Sequence, residues 1–354
     1  MNRFINEKMK KIEPYEPNEA CFRVKLDANE NNTPIPLHIR REIGDAIADN
    51  MLNRYPDPAS SELCEKYASF FGISPKEIVA GCGSDELINI IVSFFTQSGD
   101  ALLCFKPDFS MYSFYCAAHG IKCECVEKKN LALETDDIIE AARKTHPKII
   151  IFSNPCNPTG TGIEVCEIER LLSSVNSLVI VDEAYMDFWD QSAIKLISKY
   201  DNLIVLRTCS KAFAMAGIRL GFAIGASELI DEIKKAKSPY NVSVLTQIAA
   251  SIAFDYAPVL REGVHKICDK RDELYLKMEN LSAKSDGELA VFPSKANFIF
   301  FKAVRDGELD EYLKSNGIII RSFGNGFMRV SIGEAHEMDE FYGLLEGFIL
   351  NKEA

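Results

Sequence analysis

The 354-residue chain is short of the features that mark several large classes of protein. Positive charge is not in excess: 40 Lys and Arg stand against 52 Asp and Glu, a formal net charge of −12. Partners such as nucleic acid or anionic membrane call for a basic footprint, so neither is expected. No apolar run reaches the length of a membrane span, and Met1-Asn2-Arg3-Phe4-Ile5-Asn6-Glu7-Lys8 lacks the apolar core of a signal peptide. The eleven cysteines are dispersed, with only Cys123 and Cys125 close together, and no C-x-x-C pair occurs. Neither a zinc ribbon nor a thioredoxin-type motif is therefore supported, and unpaired thiols suit a reducing cytoplasm, the expected compartment. The five histidines lie far apart with no H-E-x-x-H, so no metal is expected. A G-x-S-x-G elbow, a G-x-x-x-x-G-K-[ST] loop, internal repeats and low-complexity tracts are also missing.

What remains is an ordinary globular composition, 47% hydrophobic and 26% charged. A chain of this length buries about three-quarters of its unfolded surface and needs no disulfide or metal to hold it. It is long enough for two domains, or for one large α/β domain with an appendage.

Helical periodicity at 37–50, 60–71, 85–97, 109–119, 135–144 and 164–174 alternates with short apolar runs at 101–105, 121–126, 148–152, 177–181, 203–206 and 220–224. Nearly uninterrupted apolar runs of this length read as parallel strands buried on both faces, and the β-α-β order predicts an open, mostly parallel sheet. Two long helical segments, 243–255 and 258–281, follow Pro239-Tyr240-Asn241. Runs at 298–301, 318–321 and 327–330, with helices near 307–315 and 337–350, predict a smaller α+β domain. The expected division is an arm at 1–36 packing with the small domain, a large domain at 37–258 and a small one at 259–354.

In open α/β sheets ligands sit beyond the carboxyl ends of the strands, and here those ends are polar. The run at 203–206 leads to Arg207-Thr208-Cys209-Ser210-Lys211, with Arg219 before the next run. A lysine held in a cleft can act as a nucleophile toward a carbonyl, although by composition alone Lys211 would be an ordinary surface lysine. Two hydroxyls and a guanidinium beside it suit a phosphate. The run at 177–181 ends in Asp182-Glu183-Ala184-Tyr185, where a carboxylate could face a cationic ring nitrogen or simply cap a loop. Asn154-Pro155-Cys156-Asn157-Pro158-Thr159-Gly160 reads as tight turns, with Asn157 able to point into the cleft. Gly81-Cys82-Gly83-Ser84-Asp85-Glu86 is a glycine-rich turn opening a helix, a natural phosphate cradle. It is not a dinucleotide fingerprint, because Glu86 occupies the third glycine position.

Taken with Lys25-Leu26-Asp27-Ala28-Asn29-Glu30-Asn31, Asn53-Arg54-Tyr55-Pro56-Asp57-Pro58 and Phe109-Ser110-Met111-Tyr112, these motifs stand in the order of a known family. The chain resembles the class I/II pyridoxal-phosphate-dependent aminotransferases of fold type I, from about Leu26 to Gly333. Within them it is most similar to the members that act on histidinol phosphate, a match that includes Pro239-Tyr240-Asn241-Val242. The resemblance implies a mostly parallel, seven-stranded type of sheet sandwiched by helices, with a smaller α+β domain. It also implies transamination between histidinol phosphate and 2-oxoglutarate in histidine biosynthesis, with pyridoxal 5′-phosphate as cofactor.

The residue roles it implies are these. Lys211 would bind the cofactor covalently and move a proton at the substrate. Asp182 would pair with the protonated ring nitrogen. Asn157 and Tyr185 would donate to the ring's phenolate oxygen, and Phe109 would stack on the ring. Ser84, Asp85, Thr208, Ser210 and Arg219 would hold the phosphate. Tyr55 would reach the cofactor of a second subunit, implying a homodimer. Arg329 would bind the substrate's α-carboxylate, Arg321 a second anion, and Tyr15 of the arm would lie over the substrate. Which arginine reads which anion is open. Asn18, Asn32 and Phe222 depart from the family's usual Gly, Pro and Tyr, which leaves an aromatic aminotransferase or a threonine-phosphate decarboxylase as alternatives. A regulatory protein of this fold would be expected to lack Lys211 or Asp182.

Overall fold

The computed structural model describes Phe4 and residues 22–351. Tyr15 and Asn18 lie outside the described residues. Helices form where the periodicity placed them: α1 Leu37–Ala48, α2 Ser61–Phe71, α3 Ser84–Phe94, α4 Met111–His119, α5 Thr135–Thr145 and α6 Val165–Leu172. After them come α7 Ser227–Ala236, α8 Val244–Asp255, α9 Ala257–Lys284, α10 Asp306–Ser315 and α11 Ala335–Leu350. Charge follows the helix dipole in α5, with Asp136 and Asp137 in the first turn and Arg143 and Lys144 in the last.

The larger sheet holds β2 Ile78–Gly81, β3 Ala101–Lys106, β4 Lys122–Glu127, β5 Ile149–Ser153, β6 Leu178–Asp182, β7 Leu203–Thr208 and β8 Gly221–Gly225. Their spatial order is β2-β8-β7-β6-β5-β3-β4. Alternate residues of each strand enter different cores. Leu103, Ile150, Val179 and Val205 join one, and Leu102, Ile149, Ile180 and Ile204 the other. Helices covering both faces account for the apolar, β-branched runs.

The sequence reading holds no helix at 227–236, where α7 forms, and two strands of this sheet also differ from it. β2 carries no readable period: four residues, Ile78-Val79-Ala80-Gly81, follow a short turn of helix at Pro75–Glu77 and pass straight into the glycine-rich turn. β8 is antiparallel to both neighbours. The connection from Thr208 to Gly221 carries a single short turn of helix, Ala216–Ile218, and no crossover helix to return the chain for parallel pairing.

A second sheet has the order β1-β11-β12-β10-β9. It is built from β1 Val24–Leu26, β9 Leu289–Phe292, β10 Phe298–Ala303, β11 Ile318–Gly324 and β12 Phe327–Ser331. β1 pairs in parallel with β11 and the other pairs are antiparallel. The chain therefore crosses from the second sheet at β1 into the first and returns through the 28-residue α9. Among the described residues, no helix is long and apolar enough to cross a membrane.

Candidate active site

Strands β2, β3, β5, β6 and β7 run in the same direction, so their carboxyl ends share one edge of the sheet. Ser84, Phe109, Asn157, Asp182 and Lys211 all lie at or just beyond those ends. The reversed β8 begins where its neighbours finish, and this brings Arg219 to the same edge. The helical reading of 109–119 is shortened at its start: α4 begins at Met111 and leaves Phe109 on the loop, edge-on to Tyr112 with ring centres 5.6 Å apart.

Gly81, Gly221 and Thr208 are partners across β2, β8 and β7, forming one rung. A Cβ on Gly221 would lie 2.4 Å from the Ser84 backbone nitrogen, and one on Gly83 2.7 Å from Arg219 Nη2. Glycine at both positions lets the start of α3 close against the sheet edge. Around this start, Thr208 Oγ1 donates to Ser210 Oγ at 3.0 Å, and Arg219 Nη1 reaches Ser210 Oγ at 3.4 Å. Arg219 Nη2 reaches Asp85 Oδ2 at 3.4 Å in a pair whose side chains are nearly half exposed. The free N–H groups of a helix start, two hydroxyls and a guanidinium form a cup for a phosphate monoester.

Asp182 ends β6 and is 3% exposed. Burial pushes its carboxyl up to about 7, against the hydrogen bonds it accepts from Tyr112 Oη at 2.8 Å and the Ala184 N–H at 3.2 Å. The next residue, Glu183, anchors the strand end. It accepts from Ser192 Oγ and the Ala193 N–H, each at 2.6 Å, and pairs with buried Arg207 at 3.1 Å. A buried carboxylate in want of a positive partner fits a protonated ring nitrogen.

Lys211 Nζ donates to the Ala28 carbonyl at 2.9 Å and lies 5.9 Å from the Tyr185 ring centre. Tyr185 Oη accepts from Asn29 Nδ2 at 2.9 Å. Arg329 Nη2 donates to the Asp27 carbonyl at 2.6 Å, and its Nη1 donates to Asn157 Oδ1. Three consecutive residues after β1, Asp27, Ala28 and Asn29, thus each hold one side chain of the site. Asn29 adopts a left-handed φ of 54°, which asparagine tolerates. It is locked there by Ser331 Oγ, which accepts from its N–H at 2.9 Å, and by Asn297 Nδ2, which donates to its carbonyl at 3.0 Å.

Arg321 on β11 and Arg329 on β12 are direct cross-strand partners, so their side chains leave the same face. Arg329 is buried beside the rings of Phe298 and Phe323, while Arg321 is exposed. Tyr55 is 80% exposed and stacks on Tyr240 at 4.5 Å. Asn32 donates to Glu337 at 2.7 Å, which ties its loop to α11. Phe222 stacks on Tyr67 at 3.8 Å within the core, so that departure from the family pattern falls away from the cleft. Sequence reasoning assigned no role to Asn29 or Tyr112, although both lay in motifs that matched in order. Their partners are remote in sequence, and no local pattern announces them.

The cup, the buried carboxylate and the lysine fit pyridoxal phosphate in charge and donor type. The family model described as aminotransferase class I and II matches residues 23–345. A histidinol-phosphate aminotransferase of Clostridium novyi (strain NT) is 36% identical over 344 residues, covering 96% of this chain and 95% of the relative. The solved histidinol-phosphate aminotransferase of Sinorhizobium meliloti, in complex with pyridoxal-5′-phosphate, superposes with a TM-score of 0.88 at 23% identity over 99% of this chain and 98% of its own. The L-threonine-O-3-phosphate decarboxylase of Porphyromonas gingivalis shares the fold, with a TM-score of 0.80 at 18% identity over 93% of this chain and 100% of its own. With residues 23–345 matched, nearly its whole length, the chain belongs to the class I and II aminotransferases.

Proposed function

We propose that this protein is a pyridoxal-phosphate-dependent aminotransferase that moves the amino group of histidinol phosphate to 2-oxoglutarate, in histidine biosynthesis. The observation that carries the reading is the network in which Asp27, Ala28 and Asn29 hold Arg329, Lys211 and Tyr185 against the carboxyl ends of the large sheet. The full-length likeness to relatives of that activity supports the choice of substrate.

When bound, the cofactor supplies an aldehyde that takes up the amino group and a ring that withdraws electrons from the adjoining carbon. The protein supplies the rest. The α3 start, Thr208, Ser210 and Arg219 bind the phosphate, and Phe109 covers a ring face. Asp182 holds a proton at the ring nitrogen, and Tyr112 keeps the carboxylate oriented. Tyr185 and Asn157 donate to the phenolate oxygen. Lys211 Nζ would hold the cofactor, and would take the proton from the substrate carbon and return it. Arg329 and Arg321, aligned across β11 and β12, bind the anionic groups of the two substrates.

The reading extends to a cytoplasmic homodimer in which Tyr55, exposed here, reaches the neighbouring cofactor. The division at 1–36, 37–258 and 259–354 belongs to the same reading, with β1 of the arm seated on the second sheet. Sedimentation tests the dimer, and loss of cofactor affinity in Tyr55→Phe tests the shared site.

The test of function is the half-reaction followed by cofactor absorbance. Histidinol phosphate and glutamate should each convert the bound aldehyde to the amine. Conversion by an aromatic amino acid and not by histidinol phosphate would move the assignment to an aromatic aminotransferase. Release of carbon dioxide from threonine phosphate, without an oxo acid, would make the protein a lyase.

A further inference from the structure

Away from the cofactor site, three thiols meet between β3 and the edge strand β4. Cys104 Sγ lies 3.3 Å from Cys125 Sγ and 3.5 Å from Cys123 Sγ. Cys104 is buried, while Cys123 and Cys125 are partly exposed on a strand that, among the described residues, has no outer neighbour. Cys104 and Cys125 are register partners in a parallel pair, whereas Cys123 lies opposite Leu102.

Strand geometry sorts these contacts. Neighbouring strands lie about 4.8 Å apart, so the Cα separation of Cys104 and Cys125 falls within the range of about 4.4–6.8 Å that disulfides adopt. The diagonal from Cys104 to Cys123 adds two residues along the strand and comes to about 8 Å, too far for a bridge. Cys123 and Cys125 are about 6.6 Å apart along one extended strand, at the strained end of the range. Hydrogen bonds from the Cys104 and Cys116 thiols, with Lys106 near, hold the Cys123 thiol below the usual thiol range; the same contacts push Cys104 and Cys116 up. The sulfur that these contacts favour as thiolate, partly exposed on the edge strand, is therefore the one that cannot be bridged directly to Cys104.

We propose that Cys123, Cys125 and Cys104 form a peroxide-responsive relay that ends in a Cys104–Cys125 disulfide. The Cys123 thiolate attacks one oxygen of hydrogen peroxide. The O–O bond breaks, hydroxide leaves, and Cys123 becomes a sulfenic acid. The Cys125 sulfur attacks that sulfur, the S–O bond breaks and water leaves, giving a strained Cys123–Cys125 bridge. Cys104 then attacks Cys125 and expels Cys123 as thiolate, the better leaving group. The Cys104 proton neutralises the hydroxide released at the start. Two thiols are oxidised by two electrons and one peroxide is reduced to two waters, while Cys123 returns to its initial state.

The test treats the full-length holoenzyme with hydrogen peroxide and maps its peptides without reduction. The expected product links Cys104 to Cys125, and titration after unfolding shows the loss of two of the eleven thiols, restored by dithiothreitol. Cys125→Ser should stop the relay early and leave a sulfenic acid at Cys123 that dimedone labels. Cys123→Ser should form the same Cys104–Cys125 link more slowly. A final bridge that includes Cys123 or Cys116, dimedone labelling elsewhere in Cys125→Ser, or an unchanged rate in Cys123→Ser overturns the proposal. So does retention of all eleven thiols.

Discussion

Tyr112 and Asp182, 70 residues apart in sequence, share a hydrogen bond of 2.8 Å and are both buried. The bond favours the ionised carboxylate, and burial opposes it more strongly, leaving Asp182 near neutrality at about 7. The sign of the pH effect follows. Between the ordinary carboxylate range and about 7, the folded chain holds a proton that the unfolded chain has released, so stability falls as pH rises through that window. Thermal unfolding of cofactor-free protein at pH 5.5 and 8 should show a steeper fall in wild type than in Asp182→Asn. Parallel profiles would contradict the buried titration. Tyr112→Phe should push Asp182 higher, cost about 1–2 kcal/mol of stability and weaken cofactor binding.

Lys211→Ala should still bind cofactor through the phosphate cup, but without the absorbance of the covalently held form. Turnover should fall by about 10³-fold or more, since both the attachment and the proton carrier are lost. A variant that keeps more than a tenth of the wild-type kcat would exclude Lys211 from both roles.

Gly221→Ala should damage the cup without touching any functional side chain. Its Cβ would press on the Ser84 backbone nitrogen from 2.4 Å, whereas nothing lies within 4 Å of a Cβ on Gly217. Cofactor Kd measured by fluorescence quenching should rise at least tenfold in Gly221→Ala and stay near wild type in Gly217→Ala. Equal affinities would mean that α3 does not seat the phosphate.

Arg329→Lys keeps the charge but loses the planar fork that reaches Asn157 and the Asp27 carbonyl together. The KM for glutamate should rise by about 10- to 100-fold with a smaller change in kcat. Arg321→Lys, at the exposed partner position, should raise the KM of one substrate more than the other and so assign its anion. Unchanged KM values in both variants would remove the arginine pair from substrate binding.

Sequence alone determined the alternation of helix and strand, because buried parallel strands write themselves as apolar runs, such as the one read at 148–152 that forms β5. It also placed Lys211, Asp182, Asn157 and Ser84 at strand or helix ends, where turn residues and polar side chains break the apolar pattern. It did not reveal β2, which is too short to show a period, or the reversal of β8, which depends on how the chain returns and not on its composition. Only the tertiary structure brought Asp27, Ala28 and Asn29 onto Arg329, Lys211 and Tyr185, set Tyr112 against Asp182, and aligned Arg321 with Arg329. The physical reason is that most of these partners are remote in sequence and meet only once the chain has folded and both sheets are in place. Nothing in the local order of residues around either partner encodes the other.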